Sequence, residues 1–237
     1  MRIIIFAIFL FIISPFADGN VTLKNRLIKS NVGDFIVTEQ GSNYSLLLIR
    51  LIEKNLLVLE EISIEQSLVD LDKVSWKKWI EKKAPGAFSW TSFVIDLEKN
   101  TLTQCFSHFQ KQWIFIEKSD YYFAQLLTLS LHPSQDNERK RIGPAPLPGE
   151  ADRRKLWQPQ MTREGKKIKN PHFEVLRVHW PNDKTRLAGS ILELYLDAEQ
   201  PHFPFPYWME IQSPHYTFKI RAVDSGTGIQ SPMPLIK

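Results

Sequence analysis

The sequence contains a single cysteine, Cys105, among its 237 residues. One cysteine excludes an intrachain disulfide and any metal site built from several thiolates. By pattern Cys105 falls inside a predicted strand, where a small buried thiol is far commoner than a catalytic nucleophile. We therefore expect Cys105 to lie in the core.

Catalytic and nucleotide-binding signatures are also missing. The chain has no G-x-S-x-G elbow, no H-E-x-x-H pair, no phosphate-binding loop and no dinucleotide fingerprint. The six histidines never lie two or four residues apart, so the spacings typical of local metal-binding pairs are absent. We predict no catalytic residues, no cofactor and no metal, and expect a non-enzymatic protein. An exported hydrolase with a dispersed site is the enzymatic alternative.

Long apolar runs are limited to the N-terminus. Met1-Arg2 precedes eleven apolar residues, Ile3 to Ile13, and Ala17-Asp18-Gly19 supplies small residues around a cleavage site. A bilayer-spanning helix needs about 20 apolar residues, so a secretory signal peptide over residues 1–19 is favoured over an uncleaved anchor. The prediction is export to the periplasm or the extracellular space, with only peripheral membrane contact.

Positive charge is concentrated in one proline-rich segment. Residues 139–169 contain ten lysines and arginines against three acids, and residues 132–171 hold six of the fifteen prolines. In an exported protein this charge favours anionic lipid headgroups, polyanions or an acidic partner, and we expect no nucleic acid. The alternative is a solvated connector. The candidate patch for an anionic partner comprises Arg139, Lys140, Arg141, Arg153, Arg154 and Lys155.

Apolar runs separated by short turns predict antiparallel strands on both sides of this connector. Links of three to five residues separate the first three runs, and links this short join antiparallel neighbours. The tail from Ser225 onward has no periodicity, and we expect it to fray. The predicted strands cover residues 33–38, 44–52, 56–62, 92–97, 101–109, 112–117, 172–180, 189–197, 207–212 and 216–223.

Two helices are predicted, over Ser67–Lys83 and Tyr121–Leu129. In the first, Trp76, Trp79 and Ile80 recur three and four residues apart, with lysines on the opposite side. A helix with two tryptophans on its apolar face has to cover a large surface, so packing on the sheet is the simplest expectation. The same three residues are our candidates for a lid over an apolar ligand.

These elements predict an α+β protein with a predominantly antiparallel, strongly curved and half-barrel-like sheet and two covering helices. Residues 20–132 and 172–237 are expected to be two β-rich halves of one domain. Residues 133–171 form the connector between them. A curved sheet covered by helices encloses an apolar cavity.

This organisation is similar to that of periplasmic lipoprotein carriers, in architecture and export and without a shared motif. It predicts an exported binding or carrier protein for an apolar ligand or lipid-modified partner, which is a lipid, an acyl chain or another exported protein. The alternative is a structural or surface-interaction protein without a small ligand. A closed apolar pocket favours the carrier, and a filled core with an exposed patch favours the interaction protein. A cleft with convergent His, Asp and Ser favours the hydrolase.

Overall fold

A computed structural model describes residues 21–115 and 119–236 of the chain. The predicted signal peptide, residues 1–19, lies outside the described residues. The helices are α1 (Leu23–Lys29), α2 (Trp76–Glu81) and α3 (Ser119–Thr128), with a 3-10 turn at Gln66–Leu68. The strands are β1 (Phe35–Gln40), β2 (Asn43–Glu53), β3 (Leu56–Glu65), β4 (Ser89–Asp96), β5 (Thr101–Ser107), β6 (Gln112–Ile114), β7 (His132–Pro133), β8 (Thr162–Arg163), β9 (Lys166–Lys167), β10 (Phe173–His179), β11 (Ile191–Asp197), β12 (Trp208–Gln212) and β13 (Thr217–Gly226).

Eleven strands form one antiparallel sheet in the order β6-β5-β4-β3-β2-β1-β13-β12-β11-β10-β7. The predicted predominance of antiparallel sheet is therefore confirmed. An N-terminal half, β1 to β6, and a C-terminal half, β7 and β10 to β13, meet where β1 pairs with β13. Arg221 of β13 is the residue that pairs on one side with Glu39 and on the other with Trp208. The two halves of the sheet are thus joined through the pairing of β1 with β13.

The sheet is open, with β6 and β7 as its two edges, and it is not strongly curled. The predicted half-barrel-like curvature is not confirmed, and neither is the count of two covering helices, since the described residues contain three. The additional helix is α1. Thr22 caps its N-terminus, because the side-chain oxygen of Thr22 accepts a hydrogen bond from the Asn25 amide at 3.1 Å.

No helix in the described part of the chain is long and apolar enough to cross a membrane.

One face of the sheet is apolar along its whole width and packs against α1 and α3. Leu27 of α1 and Leu127 of α3 lie in its core, and a second cluster under Leu129 and Leu131 continues it across β10 and β11. Cys105 belongs to this core, as predicted. The strand residues of this face include Ile36, Ile49, Leu57, Leu59, Ile95, Leu176, Leu192, Leu194 and Leu196.

The opposite face, which we call the α2 face, has two different covers. In the N-terminal half, α2 and Ile229 of the tail pack on Phe35, Leu46 and Leu48. Cross-strand partners share a face, so the row Glu39–Arg221–Trp208–Tyr195 continues this face into the C-terminal half. There the covering layer is the proline-rich connector, whose Trp157 stacks edge-on against Tyr195 and Trp208.

The first predicted helix is much shorter than expected. The segment from Val69 to Ser75 is turn and coil, and only Trp76–Glu81 is α-helical. The reason is local, since the side chain of Asp70 accepts a hydrogen bond from the Asp72 amide at 3.1 Å and thereby closes a turn that competes with a helix. The second predicted helix is confirmed in position by α3.

The C-terminal tail does not fray. Strand β13 runs to Gly226, Ile229 is buried in the core of the α2 face, and Arg50 donates a hydrogen bond to the carbonyl oxygen of Met233 at 3.0 Å. A tail without periodicity is therefore held by single anchoring contacts, which a search for repeating patterns cannot detect.

Candidate functional site

The predicted lid residues Trp76, Trp79 and Ile80 are all buried in the core of the α2 face. The two indole rings pack edge-to-face with centroids 5.3 Å apart, and Trp79 Nε1 donates to the carbonyl oxygen of Pro85 at 3.0 Å. All three side chains pack on the sheet, which was the simplest expectation from the sequence. Trp76 additionally borders two small open cavities beside β13.

The predicted anionic-partner patch is divided by the structure. Lys140 pairs with the buried carboxylate of Glu210, and Arg139 lies 3.5 Å from Asp136. Arg141 and Arg154 share Asp152, at 3.4 and 2.8 Å. Four of the six predicted residues thus have ion-pair partners within the molecule, and their contact with an anionic partner stays a prediction. They hold the connector together and fasten it to the sheet.

Five positive charges of residues 139–169 are available to an anionic ligand, and two of them, Arg153 and Lys155, belong to the predicted patch. No ion pair of theirs occurs within residues 21–115 and 119–236, and all five side chains are exposed. Of the three acids of the segment, Asp152 and Glu164 are already paired, with arginines and with Lys77 respectively. The connector therefore keeps a net positive outer surface. Its free cations are Arg153, Lys155, Lys166, Lys167 and Lys169.

Two short pairings shape this surface. The segments 140–142 and 155–157 lie antiparallel, with hydrogen bonds from Ile142 N to Lys155 O at 2.9 Å and from Trp157 N to Lys140 O at 2.8 Å. The hairpin β8–β9 turns at Glu164-Gly165, both with positive φ, which is the backbone of a two-residue hairpin turn. A glycine in the second turn position permits this conformation without strain.

Between these two pairings lies an open cleft of about 390 Å³, which we call the connector cleft. Its volume falls at the lower end of the range for small-molecule sites. Lys167 is the one charged residue in its wall, and the free cations Lys155, Lys166 and Lys169 are chain neighbours of lining residues. The apolar part of the lining comprises Ile142, Leu156, Pro159, Met161, Ile168 and Pro171.

A cleft with a mainly apolar lining and one lysine matches an amphiphile that carries an apolar chain and an anionic group. The sequence indicated the charge but not the cleft, because the apolar residues are spread singly among prolines and polar residues. Trp157 and Met161 were the available signals that part of the connector packs down. Met161 indeed lies in the core beneath the cleft.

A second cluster, which the sequence did not reveal, lies beneath the tail on the α2 face. Ser92 Oγ and His108 Nε2 are 2.8 Å apart, and Glu60, the cross-strand partner of Ser92, contacts Arg50 at 2.9 Å and Trp90 at 3.0 Å. Burial and the positive charge of Arg50 lower the pKa of His108, so the ring is neutral at pH 7. Burial raises the pKa of Glu60, opposed by hydrogen bonding to Ser231 and by Arg50.

This serine and histidine have the contact that a nucleophile and its base require, but the serine is only 1% exposed. Neither residue borders the cavities described here. Both side chains are buried in this conformation. Across the described residues, no three histidine, cysteine or acidic side chains are grouped to hold a metal ion.

A third feature is an exposed aromatic edge at β6. Trp113 is 53% exposed and Phe115 is 90% exposed, and Phe109 in the preceding turn is also exposed. The ring of Trp113 packs edge-on against Phe106 at 5.1 Å, so the edge is anchored to β5. Exposed aromatics at an unpaired strand are typical of a surface that contacts another protein.

Comparison with known proteins identifies a protein family and a solved structure of similar fold. The hypothetical protein CT021 from Chlamydia trachomatis, solved at 2.0 Å, is similar in fold with a TM-score of 0.63 and 19% identity, over 92% of this chain and 98% of that chain. No curated protein matches the sequence. The sequence model of the CT021 protein family matches residues 45–169, which run from β2 through most of the connector cleft and make up more than half of the chain. The chain therefore belongs to the CT021 protein family.

Proposed function

We propose that this protein is an exported, non-enzymatic binding or carrier protein for an apolar ligand that bears an anionic group. The observation that carries the proposal is the connector cleft, in which a mainly apolar lining includes the free lysine Lys167 and no acid. An apolar chain gains about 25 cal/mol for each Å² removed from water, and Lys167 supplies a counter-charge for its anionic group. A lipid or an acyl chain has this chemistry.

The absence of enzymatic activity is part of the proposal. It is supported by the burial of the Ser92–His108 pair, which has no neighbouring cavity among those described. In such a setting the contact satisfies two buried polar groups that would otherwise be costly.

The ligand proposal is tested by titrating the purified mature protein with dodecanoate in a calorimeter, with dodecanol as the uncharged comparison. Replacing Ile142 and Leu156 together by serine removes apolar lining, and we expect dodecanoate affinity to fall by about tenfold or more, since a leucine-sized burial contributes about 1.5–3 kcal/mol. Leu147→Ser is the matched control, because Leu147 is exposed in the same connector and does not line the cleft.

A separate pair of variants tests the contribution of the lysines to binding of the anionic group. Lys155→Gln with Lys167→Gln is expected to weaken dodecanoate binding and to leave dodecanol binding unchanged. Lys184→Gln, an exposed lysine in the loop between β10 and β11, is expected to change neither. Equal dodecanoate affinity in all variants, or no saturable heat with the wild type, contradicts the proposal.

Export rests on residues 1–19 and is tested separately. N-terminal sequencing of the protein from its native host is expected to begin at Asn20 or Asp18. A chain that retains Ile3 to Ile13 and sediments with membranes contradicts cleavage.

The aromatic edge at β6 favours a second candidate, a surface-interaction protein without a small ligand. A photo-crosslinking amino acid at Trp113 is then expected to capture one defined exported protein, whereas the same group at exposed Phe218 is expected to capture none. Identical products at both positions contradict a specific edge contact.

A further inference from the structure

Three buried carboxylates of the α2 face have a cation as partner. Glu60 pairs with Arg50, Asp197 with Arg163, and Glu210 with Lys140. Asp224 on β13 is buried as well, yet no arginine or lysine lies within ion-pairing distance of it in residues 21–115 and 119–236. A buried charge without a counter-charge is costly, so its retention calls for a partner of opposite charge or a hydrogen-bond donor.

Two backbone amides orient the carboxylate of Asp224. Its Oδ1 accepts from Ser225 N at 2.9 Å and from Gly165 N at 3.1 Å, and its Oδ2 accepts from Gly165 N at 3.2 Å. A carboxylate has about four acceptor positions, so these bonds leave acceptor capacity, chiefly on Oδ2. Burial and the nearby charge of Glu164 raise the pKa of Asp224, although the backbone hydrogen bonds oppose the shift.

Asp224 borders a cavity of about 220 Å³, which we call the Asp224 pocket. Aromatic walls are provided by Phe35 and Trp76. At the pocket, Lys77 Nζ lies 2.6 Å from Glu164 Oε1, so these two charges neutralise each other. The uncompensated charge in the lining is therefore the negative charge of Asp224. Asp224 also borders the adjoining cavity, together with Lys167 and Arg221. Neither of these two cations is ion-paired with Asp224 in the described residues, and Arg221 is paired with Glu39.

We propose that the Asp224 pocket binds an organic ammonium group. The carboxylate supplies the counter-charge and a free acceptor for N–H donors. Trp76 and Phe35 border the cavity, and aromatic rings attract a cation and tolerate its attached carbon chain. A bare Ca²⁺ or Mg²⁺ fits poorly, because such ions take six or more oxygen ligands, whereas the lining holds two carboxylates and that of Glu164 is already paired with Lys77. The site is independent of the ligand proposed for the connector cleft.

The probe is n-butylammonium chloride, with n-butanol as the uncharged comparison and sodium chloride at matched ionic strength. Tryptophan emission of the full mature chain is followed, because Trp76 forms part of the wall. We expect a saturable change with n-butylammonium that is absent with n-butanol and sodium chloride. Asp224→Asn keeps an acceptor for both amides and removes the charge, and we expect at least a tenfold loss of affinity. Glu81→Gln, the same change at an exposed position on α2 outside the pocket, is expected to bind as the wild type does.

A lysine-containing tripeptide distinguishes an amine of a small molecule from a lysine side chain of a protein partner. Competition with n-butylammonium at equal affinity indicates that the pocket accepts a lysine side chain, and failure to compete indicates a free amine. In the wild type, binding is also expected to disappear as the pH is lowered through the pKa of Asp224. The pH dependence of binding to the wild type serves as the test if Asp224→Asn is poorly folded. An unchanged affinity in Asp224→Asn, a pH-independent response, or no saturable response in the wild type overturns the proposal.

Discussion

The two halves of the α2 face are covered by different elements of the chain. In the N-terminal half, a short helix with two tryptophans covers leucine and phenylalanine side chains. In the C-terminal half, a connector without regular secondary structure over most of its length covers buried acids through Lys140 and Arg163. The two regions belong to one sheet and lie side by side across β13.

We call α2 the apolar cover and the connector the ionic cover, after the contacts that attach each of them to the sheet. Apolar packing is non-directional and scales with area, so a helix only six residues long is sufficient where its indoles are buried. Ion pairs are directional and depend on each partner, so the loss of one partner leaves a charge in the interior. We expect the N-terminal cover to respond to lost volume and the C-terminal cover to respond to lost charge.

The largest expected effect is on the apolar cover. Trp76→Ala removes a buried indole that packs against Trp79 and Tyr44, and we expect the free energy of unfolding to fall by about 3–5 kcal/mol. Chemical denaturation followed by circular dichroism measures this loss. Trp113→Ala, at the exposed edge, is the control and is expected to cost little. Equal losses in both variants would show that Trp76 does not support the cover.

The next effect concerns the ionic cover. Arg163→Ala leaves Asp197 buried without its cation, and we expect a loss of about 3 kcal/mol in the free energy of unfolding, at the low end for buried pairs because the arginine is partly exposed. The double variant Arg163→Met with Asp197→Leu is expected to lose less than Arg163→Ala alone. Arg221→Ala is the control, because Arg221 and its partner Glu39 are both partly exposed, and its cost is expected below about 1 kcal/mol. A double variant as unstable as the single one contradicts the charge argument.

The sequence predicted the sheet well because its signals are local. Short turns between β1, β2 and β3 can be recognised from neighbouring residues alone, and these turns alone specify antiparallel pairing. Helix α2 was predicted too long because the turn at Asp70 depends on one side-chain hydrogen bond, which helical periodicity does not reveal.

The cover of the C-terminal half was not predictable in the same way. In β11 the leucines alternate with Glu193, Tyr195 and Asp197, a pattern typical of one buried and one solvent-exposed face. The structure buries the polar face as well, beneath a connector whose Lys140 lies 70 positions before its partner Glu210. Pairing at such separation leaves no local signal. The connector cleft was missed for the same reason.

A pH dependence of opposite sign is expected for one acid in each half. The raised pKa of Glu60 means that its contribution to stability is full below its ordinary value of 4.5 and decreases as the pH rises through the raised value. For Glu210, burial acts to raise the pKa, but hydrogen bonds from Lys140 and Gln212 outweigh it and lower the pKa. Its contribution is full above 4.5 and is lost as the pH falls through the lowered value.

The measurement is the difference in unfolding free energy between wild type and variant from pH 7 to pH 3.5. As the pH falls, the wild type is expected to gain stability relative to Glu60→Gln and to lose stability relative to Glu210→Gln. The comparison within each pair cancels the titration of the remaining acids. Differences of the same sign in both pairs would show that the two carboxylates have equivalent surroundings.

The smallest effect concerns the contact between the two covers. Lys77 of α2 and Glu164 of the β8–β9 hairpin are partly exposed and lie 2.6 Å apart, so their pair links the apolar cover to the ionic one. Exposed pairs contribute about 0.2–1 kcal/mol, and a double-mutant cycle of Lys77→Gln and Glu164→Gln is expected to give a coupling energy in this range that decreases in 1 M salt. The pairing with Lys77 also lowers the pKa of Glu164. The coupling is therefore expected to fade as the pH falls through the lowered pKa, and a coupling that persists in high salt and at low pH would show that the two covers are joined by packing instead of charge.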